Sequence, residues 1–240
     1  MTEPTPTELV SLDVALAIKR TAQAFWLDFP GVVLAGFALV TLPAVLTRII
    51  ATEADWDILL TTLRGVFAVL YVALVSWGVV ARLSGQALPP RLFVREGLAR
   101  AQPGVEVALL IAAGVVAGLT LQLFARHGTV VGWMLDVLLL SAGLFAICLL
   151  MPLVPAAVVE RLGPMAAIRR AAALTEGNRG RILALALVVA LTLAPSAALV
   201  SGIAGPDAAG VWLQALFELL AYSLIAVVPA VVYAGLRGPA

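Results

Sequence analysis

The sequence contains a single cysteine, Cys148, and a single histidine, His127. One cysteine excludes an internal disulfide framework, and one histidine with one cysteine cannot assemble the His/Cys ligand sets that bind zinc. No nucleophile-elbow, zinc-protease, P-loop or dinucleotide-binding motif occurs in the chain. We therefore predict no catalytic residue, no metal site and no cofactor.

Charged residues are also scarce, at 12% of 240 residues, whereas hydrophobic residues reach 62% and the mean hydropathy is +1.09. Soluble domains carry about 25% charged and about 45–50% apolar residues. A chain with so little polar surface is expected to be an integral membrane protein. Its net charge of +1 gives no information about a nucleic-acid partner, and none is predicted. The polar, acidic N-terminal segment does not match a cleaved signal peptide.

Six apolar runs come near the roughly 20 residues that a hydrocarbon core of about 30 Å requires of a spanning helix. Residues 1–8 are predicted to be a disordered tail, and residues 9–240 a single integral membrane domain. The predicted fold is an all-α polytopic membrane bundle of six transmembrane helices. The spans are predicted at residues 30–50, 58–82, 104–124, 131–154, 182–203 and 211–234.

Three shorter segments with basic residues are predicted to form interfacial amphipathic helices. The first covers about residues 9–27, with Val14, Ile18 and Phe25 on one apolar stripe. The second follows a Pro-Pro pair after the second span, and the third lies between the fourth and fifth spans. A short helix followed by a two-span hairpin would thus occur three times, about 75 residues apart. Duplication explains this spacing, and so does the ordinary alternation of six spans.

The basic residues fall on alternate links between the predicted spans. Twelve Lys and Arg residues lie on one side and two on the other, which by the positive-inside rule places both termini in the cytoplasm. The predicted location is the bacterial cytoplasmic (inner) membrane. The twelve are Lys19, Arg20, Arg82, Arg91, Arg95, Arg100, Arg161, Arg169, Arg170, Arg179, Arg181 and Arg237.

The stretch of residues 151–183 carries the most informative pattern. Its elements are Pro152 and Pro155, Glu160 and Gly163, Ala166-Ala167, Arg169-Arg170, Leu174-Thr175, Gly177-Asn178 and Arg181-Ile182-Leu183. This stretch resembles the membrane domain fused to some bacterial glycerophosphoryl diester phosphodiesterases, and related uncharacterised six-helix membrane proteins. Such proteins typically read E-x-x-G, A-x-x-R-S and L-T-x-G followed by an aromatic; here Ala171 replaces the serine and Gly180 the aromatic residue. The resemblance implies a membrane bundle without the phosphodiesterase activity, because that activity belongs to a soluble domain for which this chain has no room.

Three ionisable residues lie inside the predicted spans, where a charge costs at least about 2.5–3.5 kcal/mol. Arg64, Asp136 and Glu218 are each roughly 8–11 Å from the outer ends of their spans, given a rise of about 1.5 Å per residue. A shared depth predicts an intramembrane polar cluster lining an outward-facing pocket. Structural pairing of two of them, with the third exposed, is the alternative.

The arginines around the third short segment are the candidates for binding lipid headgroups, since basic residues near an anionic leaflet are attracted to it. Plain topological anchoring would need no specific lipid. The candidates are Arg161, Arg169, Arg170, Asn178 and Arg179.

The leading functional hypothesis is a non-enzymatic integral membrane protein that organises or binds membrane phospholipids through its basic cytoplasmic helices, with a membrane protein partner left open. The main alternative is a small-molecule or lipid transporter that uses the intramembrane polar cluster. An intramembrane lipid-modifying enzyme is the third, for which no nucleophile or metal site can be named.

Overall fold

The computed structural model describes residues 12–50, 57–86, 89–124, 130–205 and 207–237. Within these ranges the chain is helical with short connections and without β-strands, which confirms the all-α class there. The tail predicted at residues 1–8 lies outside them. The helices are α1 (Val14–Leu27), α2 (Phe29–Gly36), a π-helical segment (Phe37–Thr41), α3 (Leu42–Ile50), α4 (Asp57–Leu83), α5 (Pro90–Ala99), α6 (Gln102–Phe124), α7 (Val130–Glu160), α8 (Pro164–Thr175), α9 (Arg179–Ile203) and α10 (Ala208–Arg237).

Five helical stretches among the described residues are long and apolar enough to cross a membrane. The 23-residue α6 lies where the remaining span is predicted, and its stretch Gln102–Ile111 is apolar. The architecture is that of a multi-pass membrane protein. The five stretches are Phe29–Thr47, Leu63–Leu83, Gly132–Glu160, Arg179–Ile203 and Ala208–Arg237.

Large apolar side chains cover the outside of the long helices. On α7, Trp133 and Met134 are each 68% exposed, and Leu191 and Leu199 of α9 are similarly bare. A continuous apolar surface of this kind is not found on soluble monomers, because water would drive it to aggregate. Hydrocarbon is the environment that suits it.

The central helix of the bundle is α10, which packs against α4, α7, α1 and α9. Small residues along it allow the backbones to approach closely, as in other membrane bundles. A buried hydrogen bond of 2.7 Å joins the hydroxyl of Tyr71 on α4 to that of Ser223 on α10. The fully buried small and β-branched residues of its C-terminal half are Ala226, Val227, Val228, Ala230, Val231 and Val232.

The first span contains an irregular turn. The π-helical segment Phe37–Thr41 comes just before Pro43, which has no N–H to donate to the carbonyl of Leu39 and whose ring crowds that turn. A wider turn relieves the crowding. This keeps Phe29–Thr47 continuous as a spanning stretch despite the proline.

The three short helices α1, α5 and α8 occur where the sequence predicts them, each before two long helical stretches. The apolar stripe of α1 is predicted to face the membrane interface, and that stays a prediction. Ile18 is 44% exposed, whereas the buried face consists of Ala17, Thr21 and Ala24. In α8 the buried face is likewise small, with Ala167, Ala171 and Thr175. Small residues let α1 and α8 lie close to the bundle.

The short helices lie at one end of the bundle, which we call the basic end; it also includes the connections between α4 and α6 and between α7 and α9. At this end the backbone N–H of Leu12 donates to Asn178 over 2.8 Å, and the Tyr233 hydroxyl donates to Glu160 over 2.7 Å. These bonds tie α1 and α10 to the α7–α9 region. The order of one short and two long elements matches the predicted repeat, and duplication stays a prediction.

Candidate functional site

Glu160, the last residue of α7, is held by two other helices. Its carboxylate oxygens accept hydrogen bonds from Nε of Arg170 on α8, at 3.0 and 3.1 Å, and Oε1 also accepts from the hydroxyl of Tyr233 on α10. Charge-assisted bonds of this kind are roughly twice as strong as neutral ones. Arg170, a predicted headgroup ligand, therefore has its charge balanced within the protein.

Arg161 follows Glu160 with a left-handed backbone, at φ 53°. The N–H of Leu162 bonds back to the carbonyl of Ala157 over 3.0 Å, which is the closing bond of a Schellman helix end. Glycine is usual at such a position because a Cβ is unfavourable in this conformation. Here the position carries an exposed arginine instead.

Asn178 precedes α9 and is only 3% exposed. Its Oδ1 accepts from the backbone N–H of Leu12, so the side chain holds the N-terminal segment against the bundle. Its own carbonyl accepts from Ile182 in the first turn of α9. The structure thus gives Asn178 a role in packing the N-terminal segment, and its place in the predicted headgroup set stays a prediction.

The remaining arginines of this region are exposed. The guanidinium of Arg179 lies 4.8 Å from the centre of the Phe145 ring on α7, within the range of a cation–π contact. Arg169 donates from Nε only to the carbonyl of Met165 in its own helix, at 3.4 Å. Arg181 lies beside Arg179 at the start of α9. Together with Arg161 these three form no ion pair with any described residue. We call Arg161, Arg169, Arg179 and Arg181 the arginine group.

At the opposite end, the structure brings together two of the three residues predicted to form the intramembrane polar cluster. Nη2 of Arg64 on α4 lies 2.8 Å from Oε2 of Glu218 on α10. Asp136 is half-buried on α7 and pairs with neither of them in the part of the chain that is described. The cavity beside the Arg64–Glu218 pair has a volume of about 10 Å³, which is room for about one water molecule.

A second charged pair lies where α1 meets α2. Asp28 is buried, and Nε of Arg82 on α4 lies 3.7 Å from its Oδ1. Its Oδ2 has no hydrogen-bond partner among the described residues. Burial raises the pKa of Asp28 above its ordinary value, and the positive charge of Arg82 opposes that rise only in part.

The sequence singled out no contact for α5, yet this helix is fixed in one position. The Phe93 ring is 1% exposed and lies between Gly31 of α2 and Gly78 of α4, at neither of which a Cβ would fit without displacing the ring. One turn later, Gly97 lies directly against Leu74 of α4. The sequence does contain a signal for this contact, because a bulky residue on α5 faces glycines on α2 and α4. The sequence alone does not show the pairing, because these segments are distant in the chain.

No three His, Cys, Asp or Glu side chains lie close enough to hold a metal ion within the described ranges. Cys148 is buried, with Sγ 3.5 Å from the carbonyl of Arg179. No protein-family model matches the chain, and no curated protein or solved structure is significantly similar to it.

Proposed function

We propose that the protein is a non-enzymatic, multi-pass protein of the bacterial cytoplasmic membrane that binds anionic phospholipids at its basic end. The observation that carries this proposal is the arginine group, whose four exposed side chains have no carboxylate partner among the described residues. Each such residue near an anionic leaflet contributes about 1 kcal/mol of attraction. Of the two acids in this region, Glu160 is occupied by Arg170, and Glu176, just after α8, forms no ion pair with the group.

Two details support a lipid ligand for this group. Arg179 lies on Phe145, an exposed ring of a spanning helix, which suits a side chain at the border between hydrocarbon and headgroups. Arg161 occupies a backbone position that favours glycine, and side chains kept in such conformations are often functional. Phosphate oxygens are the acceptors that a guanidinium binds in bidentate fashion.

The proposal includes six spans, with α6 as the third, and both termini in the cytoplasm. The three short helices would then lie at the inner leaflet, where anionic lipids attract basic residues. We also propose kinship with the membrane domain of glycerophosphoryl diester phosphodiesterases, on the residues quoted from the stretch 151–183. A membrane protein partner could use the large exposed apolar surface of α7 and α9.

The transport alternative has weaker support. A transporter binds its substrate in a cavity near the middle of the bilayer. The cavity beside the Arg64–Glu218 pair, at about 10 Å³, is far smaller than the about 300 Å³ of the smallest usual ligand pockets.

Native mass spectrometry of the protein released from detergent with its co-purified lipids tests the proposal. We expect the wild type to retain phosphatidylglycerol and Arg169→Gln/Arg181→Gln to retain less. The control is Arg48→Gln/Arg126→Gln, which removes the two basic residues that the sequence predicts on the opposite side, and it should behave as the wild type. Equal retention by both double variants would leave the arginines as topology signals only.

Cysteine labelling tests the orientation, because Cys148 is the one cysteine of the chain. In a Cys148→Ala background, Gln86→Cys at the basic end and Asp207→Cys at the opposite end are both exposed positions. A membrane-impermeant maleimide applied to intact spheroplasts should label only the second. Labelling of the first alone would invert the proposed orientation and remove the basic end from the anionic inner leaflet.

A further inference from the structure

An apolar groove runs between α5 and the first span, apart from the arginine group. Its volume is about 390 Å³, within the range of about 300–1,000 Å³ typical of ligand pockets. Its walls include Leu34, Ala38 and Leu39 on one side and Leu98 on the other. The groove exists because Ala38 is small and because α5 cannot move closer to close it.

The position of α5 is fixed by Phe93, whose ring fills the space between Gly31 and Gly78. The groove is therefore formed before any ligand arrives, so that a ligand would not have to displace α5 to enter it. Leu34 and Leu98 remain 53% and 51% exposed on its two sides. Water is a poor occupant for such a surface, and a hydrocarbon chain is a good one.

Two cationic side chains, Arg91 and Arg95, complete the lining of the groove, which is otherwise apolar. They are four residues apart on α5 and therefore lie on the same face of the helix. Both are exposed, and neither forms an ion pair with any residue in the described ranges. Two uncompensated positive charges at an apolar groove are complementary to a molecule with an anionic head and an apolar tail.

We propose that the α2–α5 groove binds one anionic phospholipid of the inner leaflet, with its phosphate on Arg91 and Arg95 and one acyl chain along Leu34, Ala38 and Leu98. The two guanidinium groups offer bidentate hydrogen bonds to the phosphate oxygens. The site rests on the proposed membrane location, and it is independent of the arginine group.

Titration of the detergent-solubilised, delipidated protein with dioleoyl phosphatidylglycerol, followed by native mass spectrometry, tests the head of the site. At about 1 kcal/mol for each arginine, Arg91→Gln/Arg95→Gln should weaken the binding of one lipid about 30-fold. Arg91→Lys/Arg95→Lys, which keeps the charge, should bind more tightly than the glutamine variant. Equal affinities of all three proteins, or wild-type binding of dioleoyl phosphatidylcholine with the same affinity, would overturn the proposal.

A large side chain placed in the groove tests whether the acyl chain of the lipid binds there. Ala38→Phe should weaken dioleoyl phosphatidylglycerol binding, whereas Ala198→Phe on the exposed side of α9 should not. sn-Glycerol 3-phosphate in large excess should fail to displace the lipid, because it has no acyl chain. Displacement of the lipid by sn-glycerol 3-phosphate, or unchanged lipid binding by Ala38→Phe, would contradict the proposed binding of an acyl chain in the groove.

The two lipid proposals fail in distinguishable ways. Arg169→Gln/Arg181→Gln removes the same charge as Arg91→Gln/Arg95→Gln but should leave the groove lipid in place. If only the α8–α9 variant loses phosphatidylglycerol, the groove proposal is wrong and the proposed function stands. If only the α5 variant loses it, the groove is the lipid site and the arginine group is not. Melting temperatures of all variants identify any that fail to fold.

Discussion

The contact of Phe93 with Gly78 yields a sharp test of the position of α5. A Cβ added to Gly78 would overlap the edge of the Phe93 ring. The ring is 1% exposed and also lies close to Gly31, so it has little free space to move into. Gly78→Ala should therefore displace the ring, and α5 with it, from α4.

The magnitude follows from two opposing effects. Overpacking of a fitted core typically costs about 1–3 kcal/mol, and the pinned ring places this site at the upper end. Alanine is favoured over glycine in a helix by about 1 kcal/mol. We expect a net loss of about 2 kcal/mol, or a melting temperature lower by about 4–8 °C for a chain of this size.

Gly65→Ala is the matched control on the same helix, since nothing lies within 4 Å of a Cβ at Gly65. It should leave the melting temperature, followed by intrinsic fluorescence in detergent, unchanged or slightly higher. Adding Phe93→Leu to Gly78→Ala should recover part of the loss, as expected for residues in contact. Equal melting temperatures for the two single glycine variants would refute the docking of α5, and with it the groove.

Three further predictions concern charged groups, each measured as thermal stability in detergent. Burial raises the pKa of Asp28 above its ordinary value of 3.8, so the folded state binds more protons than the unfolded state and loses stability as pH rises above about 4. Asp28→Asn should remove this part of the pH dependence of stability, and an unchanged pH profile would contradict the argument. Arg64→Met should destabilise more than the double variant Arg64→Met/Glu218→Leu, because the single change removes the cation beside the partly buried Glu218 carboxylate. Additive effects would show that the pair is not formed. Glu160→Ala should lower the free energy of unfolding by about 3 kcal/mol, because Arg170 and Tyr233 both lose their acceptor, and Arg170→Met should lower it by about half as much. A larger loss for Arg170→Met would contradict the central role of Glu160 in this contact.

Hydropathy was a reliable guide to the positions of the long helices, because spanning helices are apolar around their whole circumference. They can therefore be recognised without knowing which helices pack beside them. The same signal did not identify the faces on which the short helices pack against the bundle. In α1 Ile18 is exposed, whereas the small residues Ala17, Thr21 and Ala24 form the buried face. In a membrane both environments are apolar, so size rather than polarity separates the two faces.

The depth of charged residues along their spans predicted one long-range ion pair correctly but also included a third residue that does not join it. Arg64 and Glu218 meet, whereas Asp136, at the predicted common level, does not join them. Depth fixes one coordinate, and the rotation and order of the helices fix the others. Asn178 illustrates the same limit of sequence reasoning. A polar residue at the start of a helix is expected to be accessible, yet Asn178 is buried and accepts a hydrogen bond from Leu12, 166 residues away in the chain.

Extraction of the wild-type protein directly from its native membrane into polymer-bounded discs, without detergent, tests the central claim most directly. Binding of anionic phospholipids at the basic end predicts that lipids in the discs are enriched in phosphatidylglycerol and other anionic lipids relative to the bulk membrane. A disc composition equal to that of the bulk membrane would contradict the claim that this protein binds anionic lipid.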